Sequence, residues 1–182
     1  MKKLFFPLFM CAMMMFAPLP FFVPSAQGAD ANGAQPSRLM MFFWGIVGYT
    51  HWPKGKESLR ICLSVDDPHS TLIRQSAREI KTDYSIVIRS MPENVPASCD
   101  VLYVSGSGAA DRFPRSLIGS PVLTIGDGGG FCSVGGMFCL LPSGGQAGKN
   151  INSFAANLDA ISRSPLRVNP QVLRLSKRNK GH

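Results

Sequence analysis

The residues of this chain that can do chemistry gather around its cysteines. The densest group is GDGGGFCSVGGMFC, residues 126–139, with six glycines and two cysteines in fourteen positions. Such a stretch can cradle a phosphate, hold a metal, run thiol chemistry or turn the chain. A phosphate loop needs glycines ahead of a helix N-terminus, and G-x-G-x-x-G fails here because Phe131 stands where the third glycine belongs. No Lys-Ser or Lys-Thr follows, and Phe-Cys-Ser-Val reads as strand. Common zinc knuckles place about two to four residues between cysteines. Six lie between Cys132 and Cys139, and His51, His69 and His182 are scattered, so no metal site is expected. The C-x-x-C spacing of a redox dithiol is absent.

A turn remains. If Gly135-Gly136 forms the loop of a primed turn, Val134 faces Met137, Ser133 faces Phe138 and Cys132 faces Cys139. Opposed Cα atoms lie about 4.5–5.5 Å apart, within disulfide reach. The spacing therefore predicts a β-hairpin over residues 131–141, clipped by Cys132–Cys139. By elimination Cys62 pairs with Cys99.

Other candidate chemistry is thin. Asp66, Asp67 and His69 follow a predicted strand, and Asp127 ends another at the same sheet edge, where α/β proteins often place ligands. These carboxylates suit a small-ligand or cation site. Asp67 ahead of Pro68 also suits plain helix capping. No G-x-S-x-G elbow is present, since Gly106-Ser107-Gly108 lacks the spacing, and no acid–base pair stands out. The expectation is no enzyme and no cofactor.

The elements that must position these residues alternate. Ser37 to about Tyr49 reads as a capped helix with a wide apolar stripe. Strands follow at Leu59–Val65, Tyr84–Arg89, Asp100–Ser105 and Val122–Ile125. Val101-Leu102-Tyr103-Val104 is continuously apolar, as in a strand covered on both faces. Helices are expected after Asp67, within 106–119, over 151–164 and from Pro170. The pattern predicts a three-layer α/β domain with a largely parallel central sheet flanked by helices. Trp52 and Phe43, near a helix end, suit either a partner surface or the core.

The N-terminus reads as a secretory signal. Lys2 and Lys3 precede an apolar run from Leu4 to Val23, and Ala26-Gln27-Gly28 offers small residues for cleavage. Residues 1–28 are thus expected to be removed, 29–36 to form a flexible leader, and 37–182 to form one domain. The four cysteines beyond the signal suit an oxidising compartment. The full chain carries a net charge of +8. Beyond Lys2 and Lys3 all the excess sits after Asp159, in Arg163, Arg167, Arg174, Lys177, Arg178 and Lys180. An exported chain rarely meets nucleic acid, so this basic end points to a protein partner or an anionic membrane surface.

GIVGYTHWP, LRICLS, CDVLYVS, VLTIGDGGGFC, GGMFCLL and FAANLDAISRSPLRVNPQVLRLS, in this order and spacing, resemble the periplasmic YfiR family, most closely its HmsC members. The resemblance spans about Met41 to Ser176. It implies a periplasmic inhibitor that binds the sensory domain of a membrane-bound diguanylate cyclase and limits cyclic-di-GMP output, exopolysaccharide and biofilm. It implies an outer-membrane lipoprotein that sequesters the inhibitor, a homodimer, and redox sensitivity. The family's two disulfides fall on the same cysteine pairs. Arg163, Leu166, Asn169 and Arg174 are the expected partner contacts, because they lie in a well-matched basic segment. The glycine-rich PSGGQAGKNI departs from the family, which has a regular strand there.

Overall fold

Seven of the eleven residues of α1 (Arg38–Gly48) are buried, including Phe42, Phe43 and Ile46, so this helix must lie on a broad apolar surface. The computed structural model describes residues 37–53, 55–64, 66–145 and 150–177. The expected signal and leader, 1–36, and residues 178–182 of the basic end lie outside them. Ser37 starts α1 through its carbonyl, which accepts from the Met40 amide (2.7 Å), but its side chain makes no capping bond.

The surface beneath α1 is a six-stranded sheet. Its strands are β2 (Ser58–Leu63), β3 (Ser85–Ser90), β4 (Val101–Val104), β5 (Leu123–Asp127), β6 (Phe138–Pro142) and β7 (Ile151–Ala156). They lie in the order β3-β2-β4-β5-β6-β7. All neighbours are parallel except β6 and β7. A separate antiparallel pair joins β1 (Thr50–His51) to β8 (Arg167–Val168).

Alternation along β4 explains its unbroken apolar run. Val101 and Tyr103 enter the core under α1, while Leu102 and Val104 enter a second core on the opposite face. Ile73 of α2 (Pro68–Ser76), Ala160 of α5 (Leu158–Arg163) and Val172 of α6 (Val172–Lys177) join the first core. The second is closed by α3 (Val95–Ser98), a 3₁₀ turn at Arg115–Leu117 and α4 (Gly129–Ser133). The predicted three-layer fold and its largely parallel sheet stand.

Three local expectations give way. Residues 131–141 are not a hairpin: the chain leaves β5, forms α4, and enters β6 beside β5. The glycines explain why. Gly128 turns the chain at φ 81°, a left-handed value that suits glycine. A Cβ on either Gly126 or Gly136 would overlap the Phe131 ring, so both glycines serve as walls of a slot for that ring rather than as a two-residue loop. Phe131 is fully buried there and meets Phe113 edge-on, centroids 5.2 Å apart. Residues 151–164 are not one helix, because Asn157 caps a helix that begins only at Leu158. Its side-chain oxygen accepts from the Ala160 amide (3.0 Å), and Leu158 is 65% exposed, off any apolar stripe. The helix expected within 106–119 shrinks to turns and the 3₁₀ segment.

The slot yields a prediction. Phe131→Ala empties it and should lower unfolding stability by about 3–5 kcal/mol, read by urea denaturation of the oxidised protein. A loss below about 1 kcal/mol would show that Phe131 does not anchor the second layer.

Candidate functional site

The two disulfides form as paired. Cys132, on α4, bonds Cys139, on β6, with Cα atoms 5.7 Å apart. The geometry is helix to strand, not strand to strand. Cys139 sits between Gly126 of β5 and Ala155 of β7. The Asn157 side-chain NH₂ donates to the Cys132 carbonyl (2.9 Å), adding a polar tie to the same turn. Cys62, on β2, bonds Cys99 at the end of α3, with Cα atoms 5.8 Å apart. Cys62, Cys99 and Cys139 are buried, while Cys132 is partly exposed.

Beside Cys99 the sheet carries a buried acid at its strand starts. The Asp100 carboxylate accepts from the Arg60 backbone N–H (2.8 Å), Arg60 Nε (3.1 Å) and Nη2 (3.0 Å), and Lys56 Nζ (2.5 Å). Arg60 Nη1 also donates to the Ala97 carbonyl (2.8 Å). Burial disfavours the Asp100 charge, but the hydrogen bonds from Arg60 and Lys56 outweigh it, so the carboxyl titrates below its ordinary value. The bond to Asp100 in turn holds the Arg60 guanidinium above its ordinary pKa.

The opposite edge holds the expected ligand carboxylates, and they do not converge. Asp67 accepts from the Ser70 amide (2.7 Å) and caps α2. Asp66 pairs with Arg74 (3.0 Å) at the surface. Asp127 is buried and fully engaged. It accepts from Tyr103 Oη (2.7 Å) and the Gly106 amide (2.7 Å), and it lies 3.1 Å from His69 Nδ1. His69 Nδ1 is also 3.0 Å from Tyr103 Oη. The hydrogen bond to Asp127 raises the His69 pKa against an opposing effect of burial. Burial first, then the Asp127 charge, pushes the Tyr103 hydroxyl well up. Tyr103 escaped the sequence reading, although a tyrosine in a buried strand always needs a partner for its hydroxyl.

The four expected partner contacts lie along the C-terminal stretch without touching one another through hydrogen bonds. Arg163 pairs with Asp159 one helical turn back, on an exposed face. Leu166 is buried. The Asn169 amide donates to the Tyr49 carbonyl (2.8 Å), and its side-chain oxygen accepts from the Gln171 amide (2.9 Å). Arg174 is exposed. Trp52 and Phe43 belong to the core, Trp52 lying edge-on to Tyr84 at 5.9 Å.

Fold and site define a disulfide-clipped α/β domain whose two buried carboxylates, Asp100 and Asp127, are each held by neighbouring donors. The YfiR/HmsC-like family matches residues 39–177, and the chain belongs to this family. It is a family of regulatory proteins, and membership suggests a periplasmic regulator of a diguanylate cyclase.

The His69–Asp127 contact gives a pH dependence with a fixed sign. A histidine whose folded pKa is raised contributes stability that is fully present below its unfolded value, about 6.5, and is lost as pH rises through the higher folded value. His69→Gln should therefore lower the Tm more at about pH 5.5 than at about pH 8.5. Thermal melts at both pH values check this, and an equal gap would remove His69 as a titrating partner of Asp127.

Proposed function

We propose that this protein is a periplasmic negative regulator. It binds the periplasmic sensory domain of an inner-membrane diguanylate cyclase and holds down cyclic-di-GMP production, limiting exopolysaccharide and biofilm. The observation that carries this reading is the family match across residues 39–177, which takes in almost the whole described fold. Repression requires that the protein bind the inactive conformation of the cyclase more tightly than the active one, because equal affinity shifts no equilibrium.

The exposed Arg163, Asn169 and Arg174 of the C-terminal stretch, with the buried Leu166 of the same segment, are the proposed contact residues. An outer-membrane lipoprotein that captures the inhibitor would relieve the cyclase. The disulfides give the regulator a redox input. Loss of Cys132–Cys139, which closes a loop of eight residues, removes about 2.5 kcal/mol on the chain-entropy account and so lowers the amount of folded inhibitor. A small-ligand role for Asp66, Asp67 and Asp127 is disfavoured, since each carboxylate already has a protein partner.

Calorimetry of the oxidised protein with the purified periplasmic domain of the cyclase tests the proposal. Binding is expected, with Arg174→Glu weakening it about tenfold while the melting temperature stays put. The paired substitution Cys132→Ser with Cys139→Ser should reduce the competent fraction rather than the affinity of the folded molecules. Absence of binding by the oxidised protein would overturn the proposal.

A further inference from the structure

Between β1 and β2 the chain passes through Trp52-Pro53 and Lys56, and it borders an open cavity of about 280 Å³ beside the starts of β4 and β5. The cavity lies at the opposite end of the strands from Asp127. Trp52 lines it and is only 8% exposed. Its Nε1 is shut from solvent and has no hydrogen-bond partner among the described residues. A buried indole N–H ordinarily has a partner, because an unmade bond leaves the donor's desolvation uncompensated. The other tryptophan obeys that rule: Trp44 Nε1 donates to Ser76 Oγ (2.8 Å). Trp52 therefore lacks an acceptor, and it borders a space that could hold one.

The rest of the lining sets the chemistry of that acceptor. Lys56 and Arg60 bring two positive charges and Asp100 one negative, so the cavity keeps one positive charge. Among the described residues Lys56 gives Asp100 only one of its ammonium N–H groups. Arg60 spends Nε and one N–H of Nη2 on Asp100, and one N–H of Nη1 on the Ala97 carbonyl, so each Nη keeps a spare N–H. The side-chain donors left over are thus cationic groups and an indole. The other walls are apolar. Pro53, Pro96 and Pro121 carry no main-chain N–H, and the Cys99 and Asp100 amides are spent on the Val95 and Arg60 carbonyls. An anionic head and an apolar body suit this lining together. At about 280 Å³ the cavity sits at the small end of ligand pockets, so the body must be small.

We propose that this cavity binds a small apolar monocarboxylate, with Lys56 and Arg60 pairing with its carboxylate, Trp52 Nε1 donating to one of its oxygens, and the proline walls covering its body. The site stands independently of the cyclase reading, and either can fail alone.

Proton–nitrogen NMR of the oxidised protein, titrated with sodium benzoate, tests the proposal, because the chain has two tryptophans and so two indole N–H signals. Benzoate should move the Trp52 signal saturably and leave the Trp44 signal in place. Trp52→Phe removes the first signal and Trp44→Phe the second, so either variant assigns them. Lys56→Met should weaken benzoate binding about tenfold. Arg167→Met should leave it unchanged, although Trp52 also borders a neighbouring cavity that Arg167 lines. No saturable movement of the Trp52 signal would overturn the proposal. So would an equal movement with sodium chloride at matched ionic strength or with benzyl alcohol, which has the same ring and no charge. Binding that falls with Arg167→Met but not with Lys56→Met would overturn it too, by placing the ligand in the neighbouring cavity.

Discussion

A sheet that is apolar on both faces must be covered on both, and the two covers of this one are unequal. The first is anchored by the eleven residues of α1, with Phe42, Phe43 and Ile46 fully buried. The second is assembled from a four-residue helix, a three-residue 3₁₀ turn and a five-residue helix. Helices that short do not persist on their own hydrogen bonds. Both disulfides lie on this side. Cys99 at the end of α3 is fastened to β2, and Cys132 of α4 to β6. The covalent clamps do for the second layer what length does for the first, and Phe131 and Phe113 fill the space between them.

The same economy governs the charges. Asp100 at the strand starts and Asp127 at the strand ends are both buried, and burying an unpaired carboxylate is costly. Each is surrounded by donors drawn from distant parts of the chain: Arg60 and Lys56 for one, Tyr103, Gly106 and His69 for the other. These networks fix the strand ends that the clamped helices cover.

Features carried by neighbouring residues were legible in the sequence. The stripe of α1, the Asp67-Pro68 helix start and the two-sided burial of Val101 to Val104 are read within a few positions and recur in the structure. The cysteine partners were legible too, but for the wrong reason. Gly135-Gly136 resembled a hairpin loop, whereas Gly136 gives way to the Phe131 ring, a contact that no spacing rule contains. The helix over 151–164 failed because Phe154, Leu158 and Ile161 share a helical spacing by accident, while the Asn157 cap marks the true start. The Tyr103–Asp127–His69 network joins residues up to 58 positions apart, so only the folded sheet brings them together.

Hydrogen exchange of the oxidised and the reduced protein, compared segment by segment, tests the clamped second layer most directly. Reduction should raise exchange in residues 95–99 and 129–134 while α1 and the central strands β2, β4 and β5 keep their protection. Unchanged protection of those two segments after reduction, or an equal loss over the whole chain, would contradict the account.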